Sequence, residues 1–398
     1  MLRKSLANIK VVDFSQIGAG PTCSMFLGDL GADVVKVEPP NGDHGRKLGP
    51  PWYVDDESAI FVSFNRNKRS VCLDLKSEQG LEVAKKLISE ADVLVESFRP
   101  GVMTRLGLGY ESVKTFNPKI VYCAVSAYGS TGEHSGKAGV DGILQAASGL
   151  MMLLGEDGDA PSKVQAPIVD VSTGYMASIS VIAQLFQRER TGEGGYLDVS
   201  LFATAVAIQQ SSITAYLGNG ELPARTGSAA PYSAPNEAFE ANDGWIMVAA
   251  YLGDRWSRFC TIIEMPQLID DSRFSSSSLR VVNRKQMRTE LKEIFASKSS
   301  AHWIECFERS DILCSKVCDY KDLMSNSALH HLNLITVIEG ANGHIYKSPG
   351  FPVNSRESLS APHRAPPKLG QHTQEVLDEL GYSPSQIEKM LKVGVAVI

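Results

Sequence analysis

Short, nearly continuous apolar runs, each closed by glycine or proline and followed by a segment of helical spacing, dominate the first 130 positions. Ile9-Lys-Val-Val-Asp-Phe14 is too short for a packed helix and reads as a strand. Gly18-Ala-Gly-Pro21 then turns the chain into a segment whose Met25, Phe26 and Leu30 recur at helical spacing, with Pro21 suited to a first helical turn. Ala32-Asp-Val-Val-Lys-Val-Glu38 restarts as a strand and stops at Pro39-Pro40. Strand, helix and strand in this order make a β-α-β unit, which requires a parallel sheet and a right-handed crossover. The pattern repeats with a strand over Ser70 to Leu75, a helix over Ser77 to Glu90, and strands over Asp92 to Glu96 and Ile120 to Val125. The first half is therefore predicted to be doubly wound α/β.

From Asp170 to about Tyr216 the spacing is helical and apolar, broken by Thr191-Gly-Glu-Gly-Gly195. Leu222 to Pro235 is rich in Gly, Pro and Ser, reads as a linker, and marks the main domain boundary. A strand over Asp243 to Ala250 and helices around Trp256 to Ile263 and Arg284 to Phe295 predict a smaller α+β unit. Pro362 to Pro367 makes a second break before a last helical region, where Ser383-Pro384-Ser385-Gln386 has the form of a capping box with proline at the first helical position.

The 398 residues hold 39 Lys+Arg against 45 Asp+Glu, a formal net charge of −6, with 43% hydrophobic and 21% charged residues. This is soluble globular composition, long enough for roughly two or three domains. A peptide hormone, a disulfide miniprotein and a disordered regulator are excluded. Mild acidity argues against a chain-wide nucleic-acid footprint, although a local basic patch can still serve a phosphorylated ligand. The seven cysteines are odd in number and scattered, which implies no disulfide framework, and Cys314 with Cys318 lacks the further ligands of a zinc site. The first twenty residues do not read as a signal peptide, and continuous apolar runs such as Leu150 to Leu154 fall far short of the ~20 residues that span a bilayer. A cytoplasmic enzyme with no nucleic-acid or membrane partner is the expectation.

Three features are candidates for chemistry. Gly18-Ala-Gly20 follows a strand, as in a dinucleotide-binding turn, but Cys23 stands where the third glycine belongs and Pro21 removes a donor. With Glu38 ending the second strand, a dinucleotide site, a plain tight turn and a different nucleotide-like ligand all remain open. Arg66, Lys68, Arg69, Lys76, Arg99 and Arg105 gather near predicted strand ends, where they converge on phosphates or form a solvated rim. Asp170, in Ala166-Pro-Ile-Val-Asp-Val-Ser-Thr-Gly174, is either a helix cap or a carboxylate nucleophile partly desolvated by its neighbours. The eight histidines accompany no serine-elbow motif, so no serine-hydrolase signature is present.

Taken in order, several stretches resemble the class III coenzyme A transferase family, which also contains α-methylacyl-CoA racemases. They are Gly18-Ala-Gly-Pro21, Leu30 to Glu38, Asn65-Arg-Asn-Lys-Arg-Ser70 running into Leu73-Asp-Leu-Lys76, and Val95-Glu-Ser-Phe-Arg-Pro-Gly101. Leu106 to Tyr110, Ala127 to Gly132, Gly139-Val-Asp141 leading to Gln145-Ala-Ala-Ser-Gly149, Asp198-Val-Ser-Leu201 and Leu369-Gly-Gln-His-Thr373 continue the series. The resemblance covers nearly the whole chain. It implies a Rossmann-like, doubly wound large domain, a smaller α+β domain, and two chains threaded through each other as an interlocked homodimer. Residues 1–221 would form the first part of the large domain, 222–335 the linker and small domain, and 336–398 a linker and the return to the large domain.

The resemblance further implies that Asp170 is the nucleophile of a CoA transfer from an acyl-CoA to a free carboxylic acid, through aspartyl anhydride and aspartyl-CoA thioester intermediates. It places CoA contacts at Gly18, Ala19, Leu73, Leu75, Lys76, Ser97, Phe98, Arg99, Arg105, Lys137, Val140 and Asp141. Leu73, Leu75 and Phe98 would suit an adenine face, and Lys76, Arg99 and Arg105 the phosphates. Acyl-CoA is then a substrate, and no prosthetic group or metal is expected. Ser97 replaces a frequent Asn and Val140 a frequent Tyr of the family. Racemases of this family place a histidine at position 140, and Val140 cannot carry a proton. A non-catalytic CoA-binding regulator is the alternative from another class. Ala249-Ala-Tyr-Leu-Gly-Asp254 holds a single glycine, unlike the glycine-rich lid associated with oxalate transfer, so small dicarboxylates such as succinate, glutarate, itaconate or mesaconate are the expected acids, carnitine-like or aromatic acids stay open, and Arg46 or Arg225 are candidates for a distal carboxylate.

Overall fold

A computed structural model describes residues 4–54, 57–341, 343–353 and 364–398. Pro362 and His363, the first two residues of the second proline-rich break, lie outside the described residues.

The chain divides into two compact units. One comprises residues 1–150, 163–214 and 328–398, the other residues 151–162 and 215–327. The excursion of 151–162 has no counterpart among the sequence-based boundaries, which run along the chain without it.

The first unit is built on a parallel sheet. β1 (Lys10–Asp13), β2 (Asp33–Glu38), β3 (Lys68–Leu73), β4 (Val93–Glu96), β5 (Val121–Ser126) and β6 (Gly195–Ser200) lie in the order β3-β2-β1-β4-β5-β6, and a final strand, Ala396–Val397, runs antiparallel beside β3. This order reverses direction between β1 and β4, and open α/β sheets bind ligands beyond the strand carboxyl ends at such a switch point. Strands covered on both faces need apolar residues at successive positions, which is why they read as continuous runs. Val12, Val35, Leu94 and Tyr122 face one core, while Val11, Val34, Val95 and Cys123 face the other.

The helices of this unit are α1 (Ala19–Asp29), α2 (Ala59–Phe64), α3 (Glu78–Ser89), α4 (Val102–Arg105), α5 (Tyr110–Phe116), α6 (Asp141–Ala147), α7 (Ile168–Thr191) and α8 (Leu201–Ala207), with further short helices near the end of the chain. α1 and α7 pack closely on one face of the sheet. A Cβ at Gly174 would stand 2.5 Å from Thr22 Cβ and 2.9 Å from the Ala19 carbonyl oxygen, so only glycine permits this approach. α7 is the one helix among the described residues long and apolar enough to cross a bilayer, and Thr173, Gly174, Ala177, Ser178, Val181 and Leu185 on it are buried in this unit.

One expected element is corrected. Residues 195–200, read as part of a helical stretch, form the edge strand β6, which pairs with β5 from Val121–Gly195 to Ser126–Ser200. An edge strand is half exposed, so its apolar signal is weak and its pairing partner decides its conformation.

The second unit carries an antiparallel sheet of β7 (Asn236–Ala241), β8 (Gly244–Ala249) and β9 (Leu313–Lys316). Helices Arg255–Ile262, Arg284–Ala296 and Ser300–Glu308 supply Phe259, Phe295, Trp303 and Phe307 to an aromatic core, where Phe239 stacks on Phe295 at 4.4 Å. The strand and both helices expected in this region are present.

Candidate active site

Asp170 lies in the first turn of α7, yet it does not cap the helix. Pro167 occupies the N-cap position without a side-chain hydrogen bond. The cap comes from α6: Asp141 Oδ2 accepts the N–H groups of Val169 (2.8 Å) and Asp170 (3.1 Å). Helix N-termini leave such donors free, and a carboxylate satisfies them well. The Asp170 side chain accepts no hydrogen bond among the described residues. Burial pushes its carboxyl up, and the negative charge of Asp141 adds to this, to about 7.

Gly18, the N-cap residue of α1, faces this carboxylate so closely that a Cβ on it would overlap Asp170 Oδ2. The turn before it is held in an unusual shape. Ile17, a β-branched residue, sits at φ +70°, a conformation that costs about 1–3 kcal/mol and persists only where the surroundings enforce it. Its N–H donates to Asp43 Oδ1 (3.1 Å), the Gln16 N–H donates to Ser97 Oγ (2.9 Å), and Lys36 Nζ donates to the Ser15 carbonyl (2.7 Å).

Beneath that turn is a cage of buried charges. Lys36 pairs with Asp43 (2.8 Å) and Lys68 with Asp13 (3.0 Å), all four side chains being fully buried. Lys68 Nζ also donates to the Pro21 carbonyl and to Asn65 Oδ1, both at 2.9 Å, and Ser24 Oγ donates to Asp13 Oδ2 at 2.6 Å. Burial raises the Asp13 carboxyl, but Lys68, Lys36 and the Ser15 and Ser24 hydroxyls together hold it below its ordinary value. Burial brings Lys68 down to about 8 against the attraction of Asp13. Sequence reasoning passed over this cage, although it carries a signal: Asp13, Lys36 and Lys68 are charges inside strands that must be buried on both faces.

The six clustered cations separate into two sets. Arg66 is buried on Asp29 (2.5 Å), Lys68 lies in the cage, and Arg69 binds Asp33, Glu375 and Glu379. These three belong neither to a solvated rim nor to a phosphate site. Lys76, Arg99 and Arg105 are exposed and make no ion pair among the described residues. Leu73 is also corrected: its side chain is fully buried in the core and offers no adenine face, whereas Leu75 and Phe98 are partly exposed. Ser97 binds the Gln16 N–H, Lys137 is exposed, and Val140 is 56% exposed at the N-cap of α6. Asp141, by contrast, is buried with its oxygens occupied. Arg46 is committed to Glu38 (2.7 Å), and Arg225 in the second unit to the Leu154 and Ala160 carbonyls. A cavity of about 350 Å³ at the carboxyl ends of β4 to β6 is lined by Phe98, Tyr110, Tyr122 and Glu96, a carboxyl that burial raises to about 7.

Comparison with known proteins gives this arrangement a context. Residues 6–373 match CoA-transferase family III. The chain is 37% identical over 395 residues to the mouse (Mus musculus) succinyl-CoA:glutarate CoA-transferase, covering 98% of this chain and 90% of that protein. It is 34% identical to the succinyl-CoA:mesaconate CoA-transferase of Haloarcula hispanica, covering 95% of this chain and 96% of that one. A crystal structure of a CaiB/BaiF family protein from Brucella suis superposes with a TM-score of 0.85 at 31% identity, over 94% of this chain and 99% of the other. The chain belongs to CoA-transferase family III and is a CoA-transferase.

Proposed function

We propose that this enzyme moves CoA from an acyl-CoA to a small dicarboxylic acid through covalent intermediates on Asp170. The observation that carries the reading is a partly buried carboxylate that accepts no hydrogen bond among the described residues, set against the backbone of Gly18. An anion so poorly solvated is a stronger nucleophile than one in water, and near neutral pH about half of it is ionised.

In the first step an Asp170 oxygen adds to the thioester carbonyl, the C–S bond breaks, and CoA leaves as thiolate with a mixed anhydride on Asp170. The thiolate then attacks the aspartyl carbonyl, releasing the donor acid and leaving an aspartyl-CoA thioester. The acceptor carboxylate attacks that carbonyl, expels the thiolate and forms a second anhydride. Thiolate attack on the acceptor's acyl carbon gives the new acyl-CoA and restores the Asp170 carboxylate. Each step exchanges one activated acyl group for another, so exclusion of water preserves the activation.

Lys76, Arg99 and Arg105 would take the phosphates, since they are the cations of the cluster with no ion-pair partner among the described residues. Leu75 and Phe98 would take the adenine, and Gly18, Ala19, Ser97, Lys137 and Val140 the rest of the CoA. The dicarboxylate class is supported by the succinyl, glutarate and mesaconate substrates in the names of its relatives. The working form is a homodimer of interlocked chains. Met176, Ile179, Ile182 and Phe186 form an exposed apolar stripe on α7, Ile179 and Phe186 being 59% and 60% exposed, which suits a second copy.

Peptide mass spectrometry after incubation with succinyl-CoA and trapping with hydroxylamine tests the reading. Modification confined to Asp170, with CoA appearing on glutarate or mesaconate, is expected. Transfer retained by Asp170→Ala would refute it.

A further inference from the structure

Two side chains one helical turn apart on α6 hold the segment that enters α7. Gln145, fully buried, bridges the Val164 backbone in both directions: Nε2 donates to the carbonyl (3.0 Å) and Oε1 accepts the N–H (2.9 Å). Nε2 also donates to Asp141 Oδ1 (2.6 Å), which fixes the Asp141 carboxylate while its Oδ2 takes the Val169 and Asp170 N–H groups. We propose that Asp141 and Gln145 form a clamp that positions Asp170, so that Asp141 acts on the nucleophile and not as a contact for CoA. The proposal rests on the reading of Asp170 as nucleophile.

The electrostatic half of the clamp follows from what surrounds α7. Asp29 lies at the far end of α1 and is tied to Arg66, and Cys23 on α1 is buried as a free thiol. Asp198 on β6 is tied to the Ser130 N–H, and α8 carries no charged residue. On α7 itself Tyr175 rests on the Phe26 ring, and the other charges begin at Arg188. Asp141 is the charged group that acts on Asp170. The geometric half follows from bond complementarity. Asp141→Asn would turn an N–H₂ donor either toward Gln145 Nε2, itself a donor whose orientation the Val164 bridge fixes, or toward the backbone N–H groups of α7.

The pH dependence of kcat/KM for succinyl-CoA with glutarate, measured on the full-length enzyme, tests both halves. Asp141→Asn removes a like charge, so the acid limb moves down by about one pH unit, and misplacement lowers kcat by about 10²-fold while KM for succinyl-CoA stays within about twofold. Asp141→Glu keeps the charge but moves the carboxylate, so kcat falls with the limb in place. A raised KM for succinyl-CoA with an unmoved limb in Asp141→Asn would make Asp141 a CoA contact and overturn the proposal. If Asp141→Asn does not fold, Gln145→Leu carries the test: lower kcat at unchanged KM supports the clamp, and unchanged kcat overturns it. The pH midpoint of carbodiimide labelling of Asp170, read by mass spectrometry without substrate, separates the two readings. A midpoint that falls in Asp141→Asn supports the coupling even if no adduct forms on Asp170, in which case the nucleophile reading alone fails.

Discussion

Asp13 and Asp170 are carboxylates withdrawn from water in the same unit, on the two sides of the turn at Ile17, and their ionisation is shifted in opposite directions. Asp13 accepts from Ser15, Ser24 and Lys68 and is held below its ordinary value; Asp170 accepts from no side chain among the described residues and is raised to about 7. Burial alone disfavours both anions, so the difference lies in the neighbours: the lysine charges and hydroxyl donors around Asp13, against the like charge of Asp141 beside Asp170. A carboxylate surrounded by donors is a structural anion whose lone pairs are spent. One left without donors keeps its lone pairs for chemistry, at the expense of stability.

Removing Asp170 gives the largest expected effect. Asp170→Asn should lower CoA transfer by about 10⁴-fold or more, with an unchanged circular dichroism spectrum. The same variant should gain stability. A carboxyl raised in the folded state binds more protons than in the unfolded state between its two pKa values, so its contribution worsens as pH rises from about 4 to about 7. Melting curves should therefore show the variant about 2–4 °C above wild type at pH 8 and level with it near pH 4; equal curves at pH 8 would break the comparison.

Asp13 should respond in the reverse sense. Lys68→Met leaves that anion buried without its partner and should destabilise the fold by about 3–5 kcal/mol in urea titration. The double variant Asp13→Asn with Lys68→Met should recover part of the loss. Between these sites, Gly18→Ala should push the new methyl into the Asp170 carboxylate and lower kcat by about 10²-fold, read in steady-state assays. The smallest effect belongs to Arg105→Ala, which should raise KM for succinyl-CoA by about tenfold with little change in kcat.

The β-α-β pattern was legible because parallel strands buried on both faces announce themselves as runs of Val, Ile and Leu. β6 was not, because at the edge Val199 is its one buried residue. Residue types identified the six cations but not their fates. Arg66, Lys68 and Arg69 find their partners 37, 55 and up to 310 residues away, separations that no local pattern encodes. Asp170 was visible as cap or nucleophile, and the cap reading fell only because Asp141, 29 residues earlier, takes the capping role. The motif Asn65 to Ser70, which helped carry the family resemblance, is scaffold: every one of its residues is buried.

The pairing of the strand Ala396–Val397 with β3 has a consequence for biosynthesis. His372 Nδ1 accepts the Ser70 N–H across 302 residues, and Ala396 registers with Leu73. On the ribosome, β3 therefore emerges long before the segment that seals its outer edge, by about 15–60 s at ordinary rates of translation. During that interval the nascent sheet presents an open strand edge, with unpaired backbone groups at Cys72 and Leu73, to its neighbours on the polysome, the condition under which growing chains join one another or recruit a chaperone.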